Sequence, residues 1–418
     1  MIKILTKIVS STKHHHLQLS SLSSLSLSSS LSSSSLLSSS SSSSSTNVVV
    51  LGTGALGLYY GGRLLEHELT NSIPRLNVKF IGRNYYKTCN DLGYSIKSID
   101  GNISFLPNQV KGKFYNDSQS LIDNNIDKDN TTIDWVIITI KSYAINNSIR
   151  EILDPLVSSN PNIRIILIIN GYGVDRYFKE WYGDDKVFVT LAFTCINRIF
   201  NKDNNNNITS VLIDHTAVGH LLIGHCTNDP TELIKVKELF SNSKIRVETT
   251  DSLLKSIWSK LCWNIPFSGL SVAMGAITTD VIAKDKNLRS LATNIMEEVI
   301  ELANDDITEY YTDLNIDPKA YLIDQNFKDI MWKYTDFMGA YKTSSSLDLV
   351  NNQELEIEYM FTNVWNRAIH HTNKKKGSNG KSLYPYIDHL MKTVHAVHAI
   401  SKQKRLHNIK WTPTCWND

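Results

Sequence analysis

The chain shows no strong excess of charge and no long apolar run. Its 418 residues contain 43 lysines and arginines against 41 aspartates and glutamates. This near balance gives no basis for a nucleic-acid partner or a charged membrane surface. No apolar run reaches the roughly 18 residues that a membrane-spanning helix needs. The five cysteines are scattered, without Cys-x-x-Cys or Cys/His ligand spacing, so we expect reduced thiols in an intracellular protein and no bound metal.

The N-terminal segment has no acidic residue at all, since the first in the chain is Glu66. Residues 1–46 are mostly serine and leucine with a few basic residues, and they end in a serine tract. This composition is typical of a mitochondrial transit peptide, but it also fits a low-complexity segment that stays disordered. We therefore expect residues 1–46 to lie outside the fold, and a cytoplasmic or mitochondrial rather than a secreted protein.

The strongest local pattern is a β-branched strand, Val48–Leu51, followed by a glycine loop and an apolar-periodic helix. The loop consists of Gly52, Thr53, Gly54, Ala55, Leu56 and Gly57. In a Gly-x-Gly-x-x-Gly loop the first glycine permits a sharp turn. The second lets the backbone approach a pyrophosphate, and the third lets the helix pack closely on the strand. The pattern predicts a dinucleotide site at the helix N-terminus; the alternative is a glycine turn in another α/β unit.

Strand and helix signals alternate up to about residue 250. Further strands are predicted at Val78–Ile81, Thr132–Ile140, Ile163–Ile169, Val187–Thr194 and Ala217–Ile223, with a surface loop at Asn201–Asn207. Continuous aliphatic runs are typical of parallel strands buried on both faces. Their alternation with helices predicts an α/β fold with a Rossmann-type, doubly wound sheet.

Beyond residue 250 long helical patterns dominate. They cover Ser252–Asn264, Leu288–Asp305, Pro318–Tyr334 and Leu355–His371. We predict a dinucleotide-binding domain at 47–250, a mostly helical domain at 251–405, and a tail at 406–418.

The end of the second predicted strand bears on the cofactor. Ligands of such sheets lie beyond the carboxyl ends of the strands, where an NAD enzyme places an acid for the ribose hydroxyl. This chain has Gly82-Arg83-Asn84 there. Because a guanidinium can pair with a 2′-phosphate through two hydrogen bonds, we predict NADPH/NADP as the cofactor. The alternative is an exposed arginine with no ligand.

A polar stripe occupies one face of the first helix after residue 250. Lys260, Asn264 and Ser268 are four residues apart in a largely apolar segment, and Pro266 is expected to kink the helix and free the carbonyl of Cys262. A lysine in such surroundings loses solvation, so its pKa should fall towards the range of a proton donor. From these residues alone, a lysine that snorkels or pairs with a carboxylate is the commoner outcome.

Taken together, the motifs resemble the ketopantoate reductase (2-dehydropantoate 2-reductase) family from about residue 47 to about residue 394. The resemblance rests on the glycine loop, Gly82-Arg83, Lys141-Ser142-Tyr143, Asn170-Gly171-Tyr172-Gly173, the segment 258–264, Ser344-Ser345-Ser346-Leu347-Asp348 and Glu356-Ile357-Glu358-Tyr359. It implies an NADPH-dependent reductase with an NADP-binding domain at 47–250 and a helical substrate and catalytic domain at 251–405. The active site would lie between the two domains.

The resemblance also implies residue roles. Lys260 corresponds to the catalytic lysine that protonates the carbonyl oxygen. Glu356 corresponds to the acid that holds the substrate hydroxyl and helps to position that lysine. Asn170 would lie between the nicotinamide and the substrate, Asn264 on the substrate side, and Ser344 at the substrate carboxylate.

Two further residues, Lys141 and Arg83, correspond to the cofactor-side lysine and the 2′-phosphate arginine of that family. Ser268 stands where the family usually has a second asparagine, which leaves the polar substrate contacts open. The choice of Ser344 over its two serine neighbours rests on its spacing from Glu356.

The expected function is reduction of 2-dehydropantoate to (R)-pantoate in pantothenate and coenzyme A biosynthesis. The expected partners are a small-molecule 2-oxo acid and, as one option, a second copy of the chain. One alternative is a reductase of another small branched 2-oxo acid. Another is a non-catalytic NADP-binding sensor, although such a protein would not need Lys260 together with Glu356.

Overall fold

The computed structural model describes residues 45–70, 76–124, 132–375 and 381–412. The predictions for residues 1–44 and 413–418, including the transit peptide, lie outside these ranges. The first strand begins at Thr46, so the last residue of the segment expected to lie outside the fold belongs to the sheet. No helix among the described residues combines the length and apolar character of a membrane span.

The described N-terminal part is built on one large mixed sheet. Its strands are β1 (Thr46–Leu51), β2 (Leu76–Ile81), β3 (Tyr94–Ser98), β4 (Ile103–Phe105), β5 (Phe114–Tyr115), β6 (Trp135–Ile138), β7 (Arg164–Leu167), β8 (Val187–Lys202), β9 (Ile208–His225) and β10 (Val247–Thr250). The strand order is β4-β3-β9-β8-β7-β6-β1-β2-β5, with β10 beside β9. All neighbours from β8 to β5 are parallel, whereas β8 and β9 form an antiparallel hairpin.

The helices are α1 (Ala55–Thr70), α2 (Tyr86–Leu92), α3 (Pro107–Val110), α4 (Ser118–Asn124), α5 (Asn147–Ser159), α6 (Arg176–Tyr182), α7 (Pro230–Phe240), α8 (Leu253–Ala273), α9 (Thr279–Lys284), α10 (Lys286–Asp313), α11 (Phe327–Met338), α12 (Ser344–Val350), α13 (Asn363–Lys375) and α14 (Pro385–Leu406). Short 3-10 turns cover Ser142–Ala144, Asp184–Lys186 and Pro318–Tyr321, and a π-helical turn covers Glu358–Thr362. After Thr250 the described chain contains helices and no strand.

The central strands are buried on both faces, as their aliphatic sequences predict. Val49 and Leu51 of β1 belong to one hydrophobic cluster, and Val48 and Val50 belong to another. This alternation follows from the two-residue period of a strand. The first cluster continues into the helical part through residues such as Trp258, so one core supports both parts of the chain.

Several strands of the structure differ in length from the predicted ones. β6 and β7 are shorter than their aliphatic runs, and β8 and β9 are longer than predicted, so that only 203–207 connect them. The hairpin extends because cross-strand hydrogen bonds continue through polar residues that carry no strand pattern of their own. The short strands β3, β4, β5 and β10 were not predicted, because a strand of two to five residues is defined by its pairing and leaves little trace in local sequence.

The predicted helices also differ in extent. The pattern at 318–334 divides into a 3-10 turn and α11, and that at 355–371 divides into the π-helical turn and α13. Helix α8 continues through Pro266 as far as Ala273, and it packs against α10 and α14. These tertiary contacts hold the helix together across the hydrogen bond that proline cannot donate.

The sheet brings four chain segments to one edge. The glycine loop follows β1, Gly82 follows β2, Lys141 follows β6 and Asn170 follows β7. Because these four strands are parallel neighbours, their carboxyl ends meet at the same edge, where ligands of such sheets bind.

Candidate active site

The glycine loop is held tightly in shape except at its second glycine. Gly52 has a φ of +114°, and a Cβ on Gly57 would lie 1.8 Å from the carbonyl oxygen of Gly52. The hydroxyl of Thr139 donates to the carbonyl oxygens of Leu51 and Gly52, at 3.2 and 3.1 Å. A Cβ on Gly54, by contrast, would meet nothing within 4 Å. The open space beside Gly54, at the N-terminus of α1, therefore fits the pyrophosphate of a dinucleotide.

The end of β2 lies directly against this loop. A Cβ on Gly82 would lie 2.3 Å from the hydroxyl oxygen of Thr53, so the side chain of Thr53 packs on the Gly82 backbone. Arg83 comes next and is exposed. The position of Arg83 beside the glycine loop suits the binding of a 2′-phosphate. That role stays a prediction.

Lys260 extends from α8 to the sheet edge. Its Nζ donates to Asn170 Oδ1 at 2.7 Å and to the carbonyl oxygen of Ala192 at 2.9 Å, and it lies 5.3 Å from the ring centroid of Phe193. Burial of the ammonium group lowers the pKa of Lys260 to about 7, and the charge of Glu356 opposes this shift. The nitrogen thus combines two hydrogen bonds with a pKa suited to a proton donor at neutral pH.

Asn170 is fixed by the turn that follows β7. Gly171 has a φ of +123°, and a Cβ there would lie 2.6 Å from that of Tyr359 in the π-helical turn. The N–H of Tyr172 donates to the carbonyl oxygen of Tyr359 at 2.7 Å, and Asn363 Nδ2 donates to the Tyr172 carbonyl at 2.9 Å. The helical part therefore holds the turn that presents Asn170 to Lys260.

A second cluster lies at the end of β6. Lys141 Nζ donates to Asp348 Oδ2 at 2.7 Å and to Glu356 Oε2 at 3.0 Å, and Glu356 Oε1 accepts the N–H of Ser142 at 2.7 Å. Burial by itself would lower the pKa of Lys141, but the two carboxylates raise it. Burial raises the pKa of Asp348, against the charge of Lys141. Glu356 thus contacts Lys141 directly and influences Lys260 through its charge.

The predicted substrate residues occupy three environments. Asn264 is half-buried, and its side chain has no hydrogen-bond partner in the described part of the chain. Ser268 is buried. Ser344 begins α12 and is exposed, whereas the hydroxyl of Ser346 is buried and contacts the hydroxyl of Ser271. Of the neighbouring serines in this helix turn, Ser344 is therefore the accessible one.

Sequence reasoning missed Asp306, which lies behind the site on α10. Its Oδ2 accepts the Tyr172 hydroxyl at 2.7 Å and the Trp258 indole N–H at 2.8 Å. Burial would raise the pKa of Asp306, but the hydrogen bonds of His371 and Tyr172 lower it. Tyr172 follows Asn170 by two residues, and Trp258 precedes Lys260 by two. Asp306 therefore links the two segments that carry the Lys260–Asn170 pair, and no local pattern in α10 indicates this.

Two family models cover most of the chain. The model for ketopantoate reductase PanE/ApbA matches residues 48–224, and the model for its C-terminal part matches residues 252–396. The chain belongs to the ketopantoate reductase family. The predicted resemblance and the predicted α/β fold with a helical C-terminal part are thereby confirmed. As a ketopantoate reductase family member, the protein is a nicotinamide-dependent oxidoreductase that acts on a CH–OH group.

The chain is also similar to individual ketopantoate reductases and to related proteins. A 2-dehydropantoate 2-reductase from Nostoc sp. is 28% identical over 326 residues, which cover 76% of this chain and 88% of that protein. The crystal structure of a 2-dehydropantoate 2-reductase from Geobacter metallireducens has a TM-score of 0.66 at 24% identity, covering 84% of this chain and 99% of that one. A D-mandelate dehydrogenase solved with NADH and anilino(oxo)acetate has a TM-score of 0.62 at 15% identity, covering 87% and 100%. The same fold therefore also occurs in a dehydrogenase of a different name.

Proposed function

We propose that this protein reduces 2-dehydropantoate to (R)-pantoate with NADPH, as a step in pantothenate and coenzyme A biosynthesis. The observation that carries the proposal is the ammonium group of Lys260, held by Asn170 and Ala192 with a pKa lowered to about 7. Family membership and the glycine loop support the nicotinamide cofactor, and Arg83 supports the choice of NADPH.

The chemistry divides between the cofactor and the chain. Bound NADPH supplies the hydride for the carbonyl carbon of the substrate. Lys260 donates a proton to the carbonyl oxygen, where negative charge develops in the transition state. A lysine with a pKa near the working pH donates a proton more readily than one of ordinary pKa, while about half of it remains charged. Asn170 accepts a hydrogen bond from the ammonium group and so holds it in place, and Asn170 itself would lie between the nicotinamide and the substrate.

The groups of the substrate are assigned to four further residues. Ser344 binds the substrate carboxylate, and Glu356 holds the substrate hydroxyl. Asn264 and Ser268 line the substrate side of the site. The exposure of Ser344, and the Asn264 amide that finds no hydrogen-bond partner among the described residues, support these roles. Lys141 stays cationic because its pKa is raised, and its hydrogen bond orients Glu356; in the family resemblance it is the lysine on the cofactor side.

The experiment follows the absorbance of NADPH with the purified full chain and ketopantoate. Replacing the proton donor by Lys260→Ala should lower kcat roughly 100- to 10,000-fold, the range of general acid catalysis. Lys255→Ala is the matched control, because Lys255 lies on the same helix but donates to the carbonyl oxygen of Ala320. Unchanged turnover in Lys260→Ala would show that Lys260 is not the proton donor.

The second candidate is a reductase of another small branched 2-oxo acid. Ser268 favours it, because it replaces the asparagine usual in the family, and D-mandelate dehydrogenase has the same fold at 15% identity. Other branched 2-oxo acids and phenylglyoxylate are therefore assayed beside ketopantoate. Turnover of one of these without turnover of ketopantoate would overturn the pantoate assignment and keep the mechanism. A second copy of the chain stays a prediction, which a solution mass measurement checks.

A further inference from the structure

The β8–β9 hairpin places an arginine against the glycine loop. Arg198 Nη1 donates to the carbonyl oxygen of Thr53 at 2.6 Å. Its guanidinium carbon lies 4.6 Å from the ring centroid of Tyr85 and 4.7 Å from that of Phe200, and these two rings pack at 4.5 Å from each other. Arg198 is therefore held by one hydrogen bond and two aromatic rings in a defined position.

No carboxylate of the described residues pairs with Arg198. Other arginines of the protein have such partners, as Arg164 has Glu232 and Arg289 has Asp336. Arg198 is half-buried, and burial lowers the pKa of its guanidinium. A partly desolvated cation with no counter-charge is unfavourable, and the rings offset only part of that cost. With one of its five donors used within the described structure, the guanidinium is suited to an anion from outside the chain.

The position of Arg198 indicates which anion. Thr53, which accepts its hydrogen bond, packs its side chain on Gly82, the residue before Arg83. Tyr85, which lies under its guanidinium, follows Arg83 by two residues. Arg83 and Arg198 therefore lie on the same side of the glycine loop, next to Thr53 and Gly82. Arg83 comes from the end of β2, and Arg198 comes from the hairpin. The pyrophosphate, by contrast, would be bound by the N–H groups at the start of α1.

We propose that Arg198 is a second guanidinium for the adenosine 2′-phosphate of NADPH, and that the hairpin forms one wall of this part of the cofactor site. The proposal rests on the proposed use of NADPH. Two arginines from separate elements, each able to form charge-assisted hydrogen bonds, would then share one doubly charged phosphate. Arg198 is a binding residue in this scheme and takes no part in hydride or proton transfer.

Calorimetric titration of the full chain with 2′,5′-ADP and with 5′-ADP tests the assignment without turnover. Arg198→Met retains an apolar stem on the rings and removes the charge. It should weaken binding of 2′,5′-ADP roughly 10- to 100-fold, the range of a hydrogen bond to a charged group, and binding of 5′-ADP less than about 3-fold. Arg289→Met is the matched control, because Arg289 also lies over a ring, 4.0 Å from the centroid of Trp332, yet pairs with Asp336.

The other outcomes are distinct. Equal weakening for both nucleotides, or weakening for neither, would overturn the proposal. Circular dichroism and the thermal midpoint establish that the variant is folded, and Arg198→Lys replaces it if it is not. The lysine keeps the charge without the planar fork, so it should bind 2′,5′-ADP less tightly than the wild type; wild-type affinity would overturn the proposed contact. If the wild-type protein binds 2′,5′-ADP no better than 5′-ADP, the NADPH preference is overturned, and this inference with it. If it binds 2′,5′-ADP tightly but does not turn over ketopantoate, the result counts against the proposed function alone.

Discussion

The pH dependence of activity gives the sharpest check on Lys260. The protonated lysine is the proposed donor, and burial lowers its pKa from the ordinary 10.5 to about 7. Raising the pH through 7 therefore removes the donor proton. About half of the lysine is protonated at pH 7 and about 1% at pH 9, so kcat/KM for the 2-oxo acid should fall about 50-fold between these values. A lysine of ordinary pKa would give no fall in this range.

The assay measures initial rates at saturating NADPH from about pH 6 to about pH 9.5. Lys260→Arg serves as the matched variant, because a guanidinium stays protonated throughout this range. Its rate should be lower but almost independent of pH. The neighbouring His220 does not confuse the measurement: it stacks on Phe193 at 4.7 Å, and burial lowers its pKa to about 4.

Two results would refute this reasoning. A wild-type rate that stays level up to about pH 9.5 would mean that the donor keeps an ordinary lysine pKa or is another group. The same fall in Lys260→Arg would assign the titration to a residue other than Lys260.

Three further predictions concern the cofactor, the charge near the donor and the loop. Arg83→Ala should raise the KM for NADPH roughly 10- to 100-fold in steady-state kinetics and leave that for NADH almost unchanged; equal effects would mean that the 2′-phosphate is contacted elsewhere. Glu356→Gln should move the pH limb of Lys260 to lower pH, since this carboxylate raises the lysine pKa, and a limb at higher pH would contradict the assignment. Gly57→Ala should lower the free energy of unfolding by about 1–3 kcal/mol, because its Cβ would lie 1.8 Å from a loop carbonyl oxygen. Gly54→Ala should change it by less than about 0.5 kcal/mol but weaken cofactor binding, and thermal denaturation with nucleotide titration separates the two.

Much of the fold could be predicted from local sequence. The strand, loop and helix around Gly52 follow from backbone conformations that each residue type allows, and the structure contains all three. Strand ends and short strands such as β3 and the edge strand β4 could not be predicted in this way, because pairing with neighbouring strands decides them.

The candidate site also has parts that local sequence predicts and parts that only tertiary contacts decide. The spacing of Lys260, Asn264 and Ser268 places them on one face of α8, and the apolar positions around them predict a lowered lysine pKa. The partner that holds Lys260 lies 90 residues earlier, at Asn170. Helical periodicity does not contain that information.

What the sequence determined by itself is the set of chemical groups and the local geometry that carries them: the glycine loop, an arginine after β2 and a lysine in an apolar helix. Only the tertiary structure decided how these groups pair. It joins Lys141 to carboxylates more than 200 residues away and brings Arg198 to Thr53, 145 residues earlier. The reason is physical: backbone conformation depends on near neighbours, whereas desolvation and charge pairing depend on the path of the whole chain.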